Sequence, residues 1–454
     1  MGALAAQVSS RKLRATDRFA TLLVASLAGY ALMGKGYAYA GVSPLFITEG
    51  VLVLGLLAML HSRCLVASFA SLPMLLLACL MGLTVMRTVP FLGAHGVDAL
   101  RDSVLVLYGL FAFVTVALLL ERPERVASAL RFLQWFTGVF VFVAPAVFLL
   151  SIMDLLASLP GWPGSGVPFL SIRSGEVAVH LSACAVMALL GLRKVTLAWT
   201  IALLLGIALI ASLSRGGMLA IVGPVMFAIV AASRWRLAGT LALYGGLALA
   251  VLYLLDVSVP LQLANQRDAS VRQIVDNLIS ITGSADRGDL DDNKRWRLLW
   301  WEKIQDYTFS GPYYWTGKGF GINLAEADGY LGAQIDGPPL RSPHNSHMNI
   351  LARIGVPGLA LWITVGLAWL AATTRCMRAA WRNGDEAWGN LMLLTICYWL
   401  AIVIDAAFDV AIEAPMLGVW FWCLFGFGIG NAMIYGTHTK RLALASQARV
   451  LALR

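Results

Sequence analysis

Charge is what this chain has least of. Of its 454 residues, 13% are Asp, Glu, Lys or Arg and 59% are hydrophobic, and the mean hydropathy is +0.76. That scarcity excludes a soluble chain and identifies an integral membrane protein. Cysteine is sparse as well. Cys64, Cys79, Cys184, Cys376, Cys397 and Cys423 fall in apolar runs or on the side that collects basic residues. No pair among them has metal-ligand spacing, so neither a disulfide framework nor a cysteine metal site organises the chain. Internal repeats of the broken-helix kind found in inverted-repeat transporters are missing too. Met1 to Arg18 is basic and polar and lacks a small-residue cleavage site after a short apolar core, so no cleavable signal peptide is expected.

What is present is a series of apolar runs. Read for spans, they are Phe19–Tyr37, Leu45–Leu60, Leu65–Met86, Ser103–Leu120, Phe132–Met153 and Val177–Leu192. They continue as Val195–Leu213, Met218–Ala232, Leu237–Leu255, Ile350–Ala372, Leu391–Ile404 and Pro415–Tyr435. The expectation is an all-α membrane protein of about twelve helices, several shorter than the ~20 residues that cross a bilayer squarely. Basic residues alternate between the loops. Arg11, Lys12, Arg14, Arg18, Arg63, Arg122, Arg125, Arg131, Arg193, Lys194, Arg234 and Arg236 share one side with Arg375, Arg378, Arg382, Lys440, Arg441, Arg449 and Arg454. The short loops opposite hold Lys35, Arg87, Arg101, Arg173 and Arg215. The positive-inside rule, from which long loops are exempt, then puts both termini in the cytoplasm. The formal charge of +9 mostly reflects this bias and is no argument for nucleic acid.

The resulting division is a tail over 1–18, helices 1–9 over 19–255, an external loop over 256–345, helices 10–12 over 346–435 and a second tail over 436–454. The long loop, Asp256 to Asn345, carries two helical patterns. Asp268 to Ile281 repeats Val271, Ile274, Val275 and Leu278 at helical spacing. Lys294 to Tyr307 aligns Trp296, Leu299, Trp300, Ile304 and Tyr307, with Asp292 or Asn293 as its N-cap. A Trp-rich stripe beside arginines suits a helix that lies on the bilayer or caps the spans. Asp405, Asp409 and Glu413 gather near the same face and read as polar contacts at helix ends.

Cations placed against the topology mark candidate sites. Arg215 stands in Ser212-Leu-Ser-Arg-Gly-Gly217, where paired glycines let backbone and ligand approach at a helix start; the bland alternative is an arginine snorkelling to the headgroups. Arg87 and Arg173 favour the snorkelling account. Other motifs fail. Gly317-Lys318 lacks the Ser or Thr and the glycine spacing of a phosphate loop. Asp289 to Asn293 has Lys294 where a calcium loop needs glycine. His344 and His347 have no third ligand nearby for zinc. With Ser342 and Pro343 as cap and first-turn residues, His344 is expected at the outer start of the tenth span. There the helix dipole favours a neutral imidazole able to accept a proton.

His344-Asn345, nine further residues, then Gly355-Val-Pro-Gly358 resembles the signature of the O-antigen ligase family. That family shares a superfamily with O-antigen polymerases and bacterial protein O-oligosaccharyltransferases. Arg295, three residues, Leu299 is similar to a second family pattern in the long loop, with Arg297-Leu-Leu-Trp300 as an alternative alignment. Arg215-Gly-Gly217 resembles the family's upstream arginine turn, and Gly319-Phe-Gly-Ile-Asn323 its glycine run before the histidine. The motifs cover the C-terminal half; the N-terminal half matches in hydropathy and topology.

The resemblance implies a GT-C-like glycosyltransferase of the bacterial inner membrane with its site facing the periplasm. Its donor would be a glycan on undecaprenyl pyrophosphate and its acceptor a sugar hydroxyl of lipid A–core. No cofactor and no metal are implied, so arginines must stabilise the leaving pyrophosphate. His344 would take the acceptor's proton as it attacks C1 from the opposite face, with inversion. Arg215 and Arg295 are the expected clamp. Arg87, Arg173, Arg297, Lys318, Asn345 and His347 are the further residues expected at the substrate. A polymerase or a protein O-oligosaccharyltransferase would use the same donor. A lipid-linked sugar transporter is the reading from a different class, opposed by the mostly apolar mid-span positions.

Overall fold

In lipid a backbone polar group finds no water, so apolar runs satisfy their own N–H and C=O groups by coiling. The computed structural model describes the chain apart from residues 1, 43, 154, 157–158, 164, 256–257, 260–268, 283–287, 333–339 and 453–454. Fifteen helices carry the architecture. They are α1 Gly2–Met33, α2 Ile47–His61, α3 Leu72–Thr88, α4 Val97–Leu107 and α5 Leu110–Glu121. Next come α6 Arg125–Ile152, α7 Ser174–Leu189, α8 Leu197–Leu213, α9 Arg215–Ala231 and α10 Trp235–Leu254. The last are α11 Val271–Thr282, α12 Gly288–Gln305, α13 Ser346–Arg382, α14 Glu386–Asp405 and α15 Pro415–Ala452. Strand pairing among the described residues is confined to two-residue ladders and isolated bridges.

The protein is therefore all-α and, by its apolar helices, a multi-pass membrane protein. A helix stands at each of the twelve expected positions, and among the described residues fewer than twelve qualify as spans by length and composition. Among the described residues, five helical stretches are long and apolar enough to cross a bilayer, and a sixth counts if α4 and α5, bent by 42°, form one span. Helices α2, α7, α8 and α9 are apolar but only 15 to 17 residues long.

Helix α15 packs against α5 and α14, α9 against α7 and α14, and α13 against α3 and α14. Aromatic rings fill the centre: Trp369 lies against Trp399 at 4.5 Å between centroids and Phe421 against Trp422 at 4.8 Å. Such pairs add to the burial term through their edge and face charges.

At the end of the bundle where α13 begins, the stretch from Tyr307 to Ile322 and the residue Arg341 are fastened by charge. Arg353, fully buried, reaches Asp102 Oδ2 at 3.0 Å and Asn349 Oδ1 at 2.8 Å. Its Nη1 donates to the carbonyls of Gly319 and Ile322. Arg341 forks onto the same carboxylate at 3.1 and 3.0 Å. Backbone meets backbone alongside: Lys318 N donates to Ala352 O at 2.7 Å and Val356 N to Tyr314 O at 2.8 Å. That approach needs glycine on both sides. Gly355 (φ 74) and Gly317 (φ 57) stand where a Cβ would lie 2.4 Å from Tyr314 O and 2.3 Å from the Arg353 carbonyl carbon. Gly355 also breaks α13.

Candidate active site

The histidine is not inside the helix it precedes. Asn345 is the N-cap: its Oδ1 accepts from His347 N at 3.0 Å and Met348 N at 3.1 Å. This corrects the expectation that Ser342 and Pro343 begin the helix, and it shows what the nine-residue spacing measures. The stretch from the Asn345 cap to the Gly355 break is a short helix of its own, held at one end by a side-chain cap and at the other by docked backbone. His344 lies just outside it in the left-handed region, at φ 50. For a residue with a Cβ that conformation costs about 1–3 kcal/mol and persists where neighbours over-determine it. Here Trp301 Nε1 donates to Pro343 O at 2.8 Å, and Trp296 sets its edge against the imidazole.

The strained backbone turns His344 toward Asp409. His344 Nδ1 lies 3.4 Å from Asp409 Oδ1, and Arg173 Nη1 lies 3.9 Å from the same oxygen. Burial alone would raise the Asp409 pKa. The hydrogen bond from His344 and the charge of Arg173 outweigh it and hold the carboxyl well below the usual carboxylate range. An ionised Asp409 accepts a hydrogen bond from Nδ1–H, which leaves Nε2 with the lone pair, the tautomer a proton acceptor needs.

Guanidinium groups surround this pair. Arg297 Nη1 donates to Phe408 O at 3.0 Å. Burial lowers the pKa of Arg297, the Asp409 charge opposes that shift, and the nearby Arg215 adds to it. Arg215 opens α9, after Ser214 accepts from Gly217 N at 3.0 Å. A Cβ on the next residue, Gly216, would meet Phe408 Cβ at 2.8 Å, so the arginine turn lies directly on the Phe408–Asp409 segment. Lys35 joins from the turn after α1, whose backbone N donates to Ser171 O at 2.9 Å, two residues before Arg173.

The other expected residues separate into those near this cluster and those used elsewhere. Arg295 is exposed, and of the two aligned arginines it is Arg297 that reaches Phe408 O and the Asp409 charge. Its helix begins at Gly288, not at a cap on Asp292 or Asn293; both lie inside it. Most of the stripe faces the protein: Trp300 is fully buried and donates to Asp328 Oδ2 at 2.7 Å, and Ile304 is buried, whereas Leu299 is exposed. Lys318 forms an ion pair with Asp328 and lies over the Tyr307 ring. His347 is held between Val403 O at 3.1 Å and Trp362 Nε1 at 3.1 Å. Arg87 stands over Phe91. The first loop helix starts at Val271, three residues later than Asp268, which lies outside the described residues, as do Pro338 and Pro339.

The acidic trio also separates. Asp409 serves His344. Glu413 Oε1 accepts from Ser346 Oγ at 3.2 Å, and burial pushes its pKa up. Asp405 abuts the first turn of α7, where a Cβ on Gly175 would lie 2.4 Å from its Oδ1. Sequence reasoning gave these three one shared role. It missed Arg353 as well, although a charge three residues into an apolar run is a recognisable signal.

Residues 200–363 match the family model described as O-antigen ligase. No curated protein matches the chain. The matched stretch contains Arg215, Arg297, His344 and Gly355, whereas Lys35, Arg173 and Asp409 lie outside it.

Proposed function

We propose that this chain, a member of the O-antigen ligase family, transfers a glycan from undecaprenyl pyrophosphate to a sugar hydroxyl of lipid A–core. The reaction would take place at the periplasmic face of the bacterial inner membrane, with both termini cytoplasmic and residues 256–345 outside. The observation that carries the reading is the His344–Asp409 pair beside Arg173, Arg215 and Arg297 at one end of the bundle.

His344 Nε2 takes the proton of the acceptor hydroxyl as that oxygen bonds to C1 of the donor sugar. The C1–O bond to pyrophosphate breaks on the opposite side, so configuration inverts. The departing pyrophosphate keeps the bonding electrons, and guanidinium forks suit its charge and planar oxygen pairs. The placement of Arg215 and Arg297 beside the His344–Asp409 pair supports that role for both, with Arg173 also keeping Asp409 ionised. Holding donor and acceptor together in the bilayer supplies rate through proximity.

Polymerase and protein O-oligosaccharyltransferase chemistry would share the donor and differ in acceptor. The test is reconstitution in liposomes with undecaprenyl-pyrophosphate-linked glycan and, separately, lipid A–core, a second donor molecule, or a Ser-rich pilin-like peptide. Transfer to lipid A–core alone, at an unchanged rate in excess chelator, is the expected result. Polymer or glycopeptide as the main product would move the protein to a sister activity. A loss on chelation that magnesium or manganese restores would end the arginine-only account of the leaving group.

A further inference from the structure

The arginine turn is held from above by the external loop, through one side chain. Helix α8 ends at Leu213 and α9 starts at Arg215, so the last carbonyls of α8 have no following helical turn to donate to them. Asn277, on α11, is buried and donates Nδ2 to Ala211 O at 2.8 Å and to Ser212 O at 3.0 Å. Its orientation is fixed by a second amide, since Gln273 Nε2 donates to Asn277 Oδ1 at 3.4 Å. Ser270 Oγ in turn accepts from Gln273 N at 3.1 Å at the start of α11. Helix α11 therefore ties its first turn, through Gln273 and Asn277, to carbonyls three and four residues before Arg215.

We infer that Asn277 is a positioning residue for Arg215, which makes loop docking a condition for assembling the arginine pair that receives the pyrophosphate. Arg215 comes from the spans and Arg297 from the loop helix α12, so their spacing depends on how the loop sits. Two amide hydrogens on the α8 carbonyls fix that seat at the turn itself. A buried Asn also carries a cost when its partners are lost, because both carbonyls would remain buried and unpaired. The inference rests on the proposed role of Arg215 in donor binding.

The experiment measures binding of undecaprenyl pyrophosphate to the full chain in nanodiscs, together with KM for donor and acceptor in the transfer assay. Asn277→Leu keeps the volume and removes the donors; Asn277→Ala is the second variant should Leu perturb folding. Either is expected to weaken pyrophosphate binding and raise the donor KM roughly 2- to 30-fold, the span of couplings carried through packed networks, with the acceptor KM unchanged. Asn277→Gln, which restores both amide hydrogens, should recover part of the loss. In an Arg215→Ala background Asn277→Leu should have no further effect on binding, because the two act on one contact. Equal losses for donor and acceptor, or full additivity with Arg215→Ala, would overturn the positioning role. If Arg215→Ala alone leaves pyrophosphate affinity intact, it is the proposed function of Arg215 that fails.

Discussion

Two charged networks stand at opposite ends of the bundle, and they differ in whether a histidine is built into them. At the end away from His344, Asp17 is shared by Arg122 and Arg125, and Arg125 Nη1 also reaches Glu121 at 3.0 Å. Two cations face two anions there, and the ties join α1 to the turn between α5 and α6. At the His344 end the network has two parts. Arg341 and Arg353 close on Asp102, and Lys318 closes on Asp328. Beside them, Arg173, Arg215, Arg297 and Lys35 gather around Asp409, whose Oδ1 already serves His344. A network of ion pairs alone holds helices together; one in which a carboxylate and several cations, with Glu176 among them, converge on a strained histidine has the make-up of a candidate site.

The comparison is broken most severely at His344. His344→Ala should lower single-turnover transfer by about 10²–10⁴-fold, the usual contribution of a positioned base, while undecaprenyl pyrophosphate still binds. Normal turnover in that variant would remove the base from the mechanism. Asp409→Asn tests the same pair from the other side. It should lower transfer on the order of 100-fold, because the carboxylate that selects the Nδ1–H tautomer is gone; turnover equal to the native protein would make Asp409 a bystander.

The closed part should answer in stability and not in donor affinity. Asp102→Ala leaves the buried Arg353 without its counter-ion, a change that costs about 3–5 kcal/mol for buried pairs, read as a large fall in Tm in detergent. Asp17→Ala, on a carboxylate that is 41% exposed, should cost about 1 kcal/mol or less. Equal Tm shifts for the two variants would erase the contrast between buried clasp and half-exposed tie.

The arginines sharpen it further. Arg297→Ala should weaken pyrophosphate binding about tenfold, the worth of one charge-assisted hydrogen bond of about 1.5 kcal/mol, and Arg297→Lys should rescue poorly for want of the planar fork. Arg295→Ala, on an exposed side chain, should change binding less than twofold, since surface substitutions stay within about 0.5 kcal/mol. The reverse ranking would return the donor contact to Arg295. Orientation is tested without any energetic effect. In a background lacking the native cysteines, Ala327→Cys should react with an impermeant reagent in spheroplasts and Ala387→Cys should not; the opposite pattern would place the site in the cytoplasm.

Legibility followed the range of the forces involved. Apolar runs show themselves residue by residue, because each must satisfy its own backbone in lipid, and every expected run has its helix. Arg215, Arg297 and His344 could be singled out because each lies beside a local signal: paired glycines, a Trp stripe, a cap sequence. The roles of Asp409 and Arg353 could not. Asp409 is 65 residues from His344 in sequence, and nothing in the Asp405–Glu413 stretch distinguishes the carboxylate that turns toward the histidine from the two that do not. The preference between Arg295 and Arg297 was equally hidden, since both sit in one turn and only the packing of Trp296 and Trp300 decides which faces Phe408.

By itself the sequence determined the membrane class, the helical runs, the basic asymmetry of the loops and the spacing from His344 to Gly355. All of these depend on residues near one another along the chain, through hydropathy, helix capping and backbone freedom. The tertiary structure alone decided that the nine-residue spacing is a capped helix ending at a backbone docking site. It also decided that His344 lies outside that helix in a left-handed conformation, and that one acid of three completes it. Those outcomes follow from side chains meeting across α7, α9, α12 and α14, where distance in space and distance in sequence have no fixed relation.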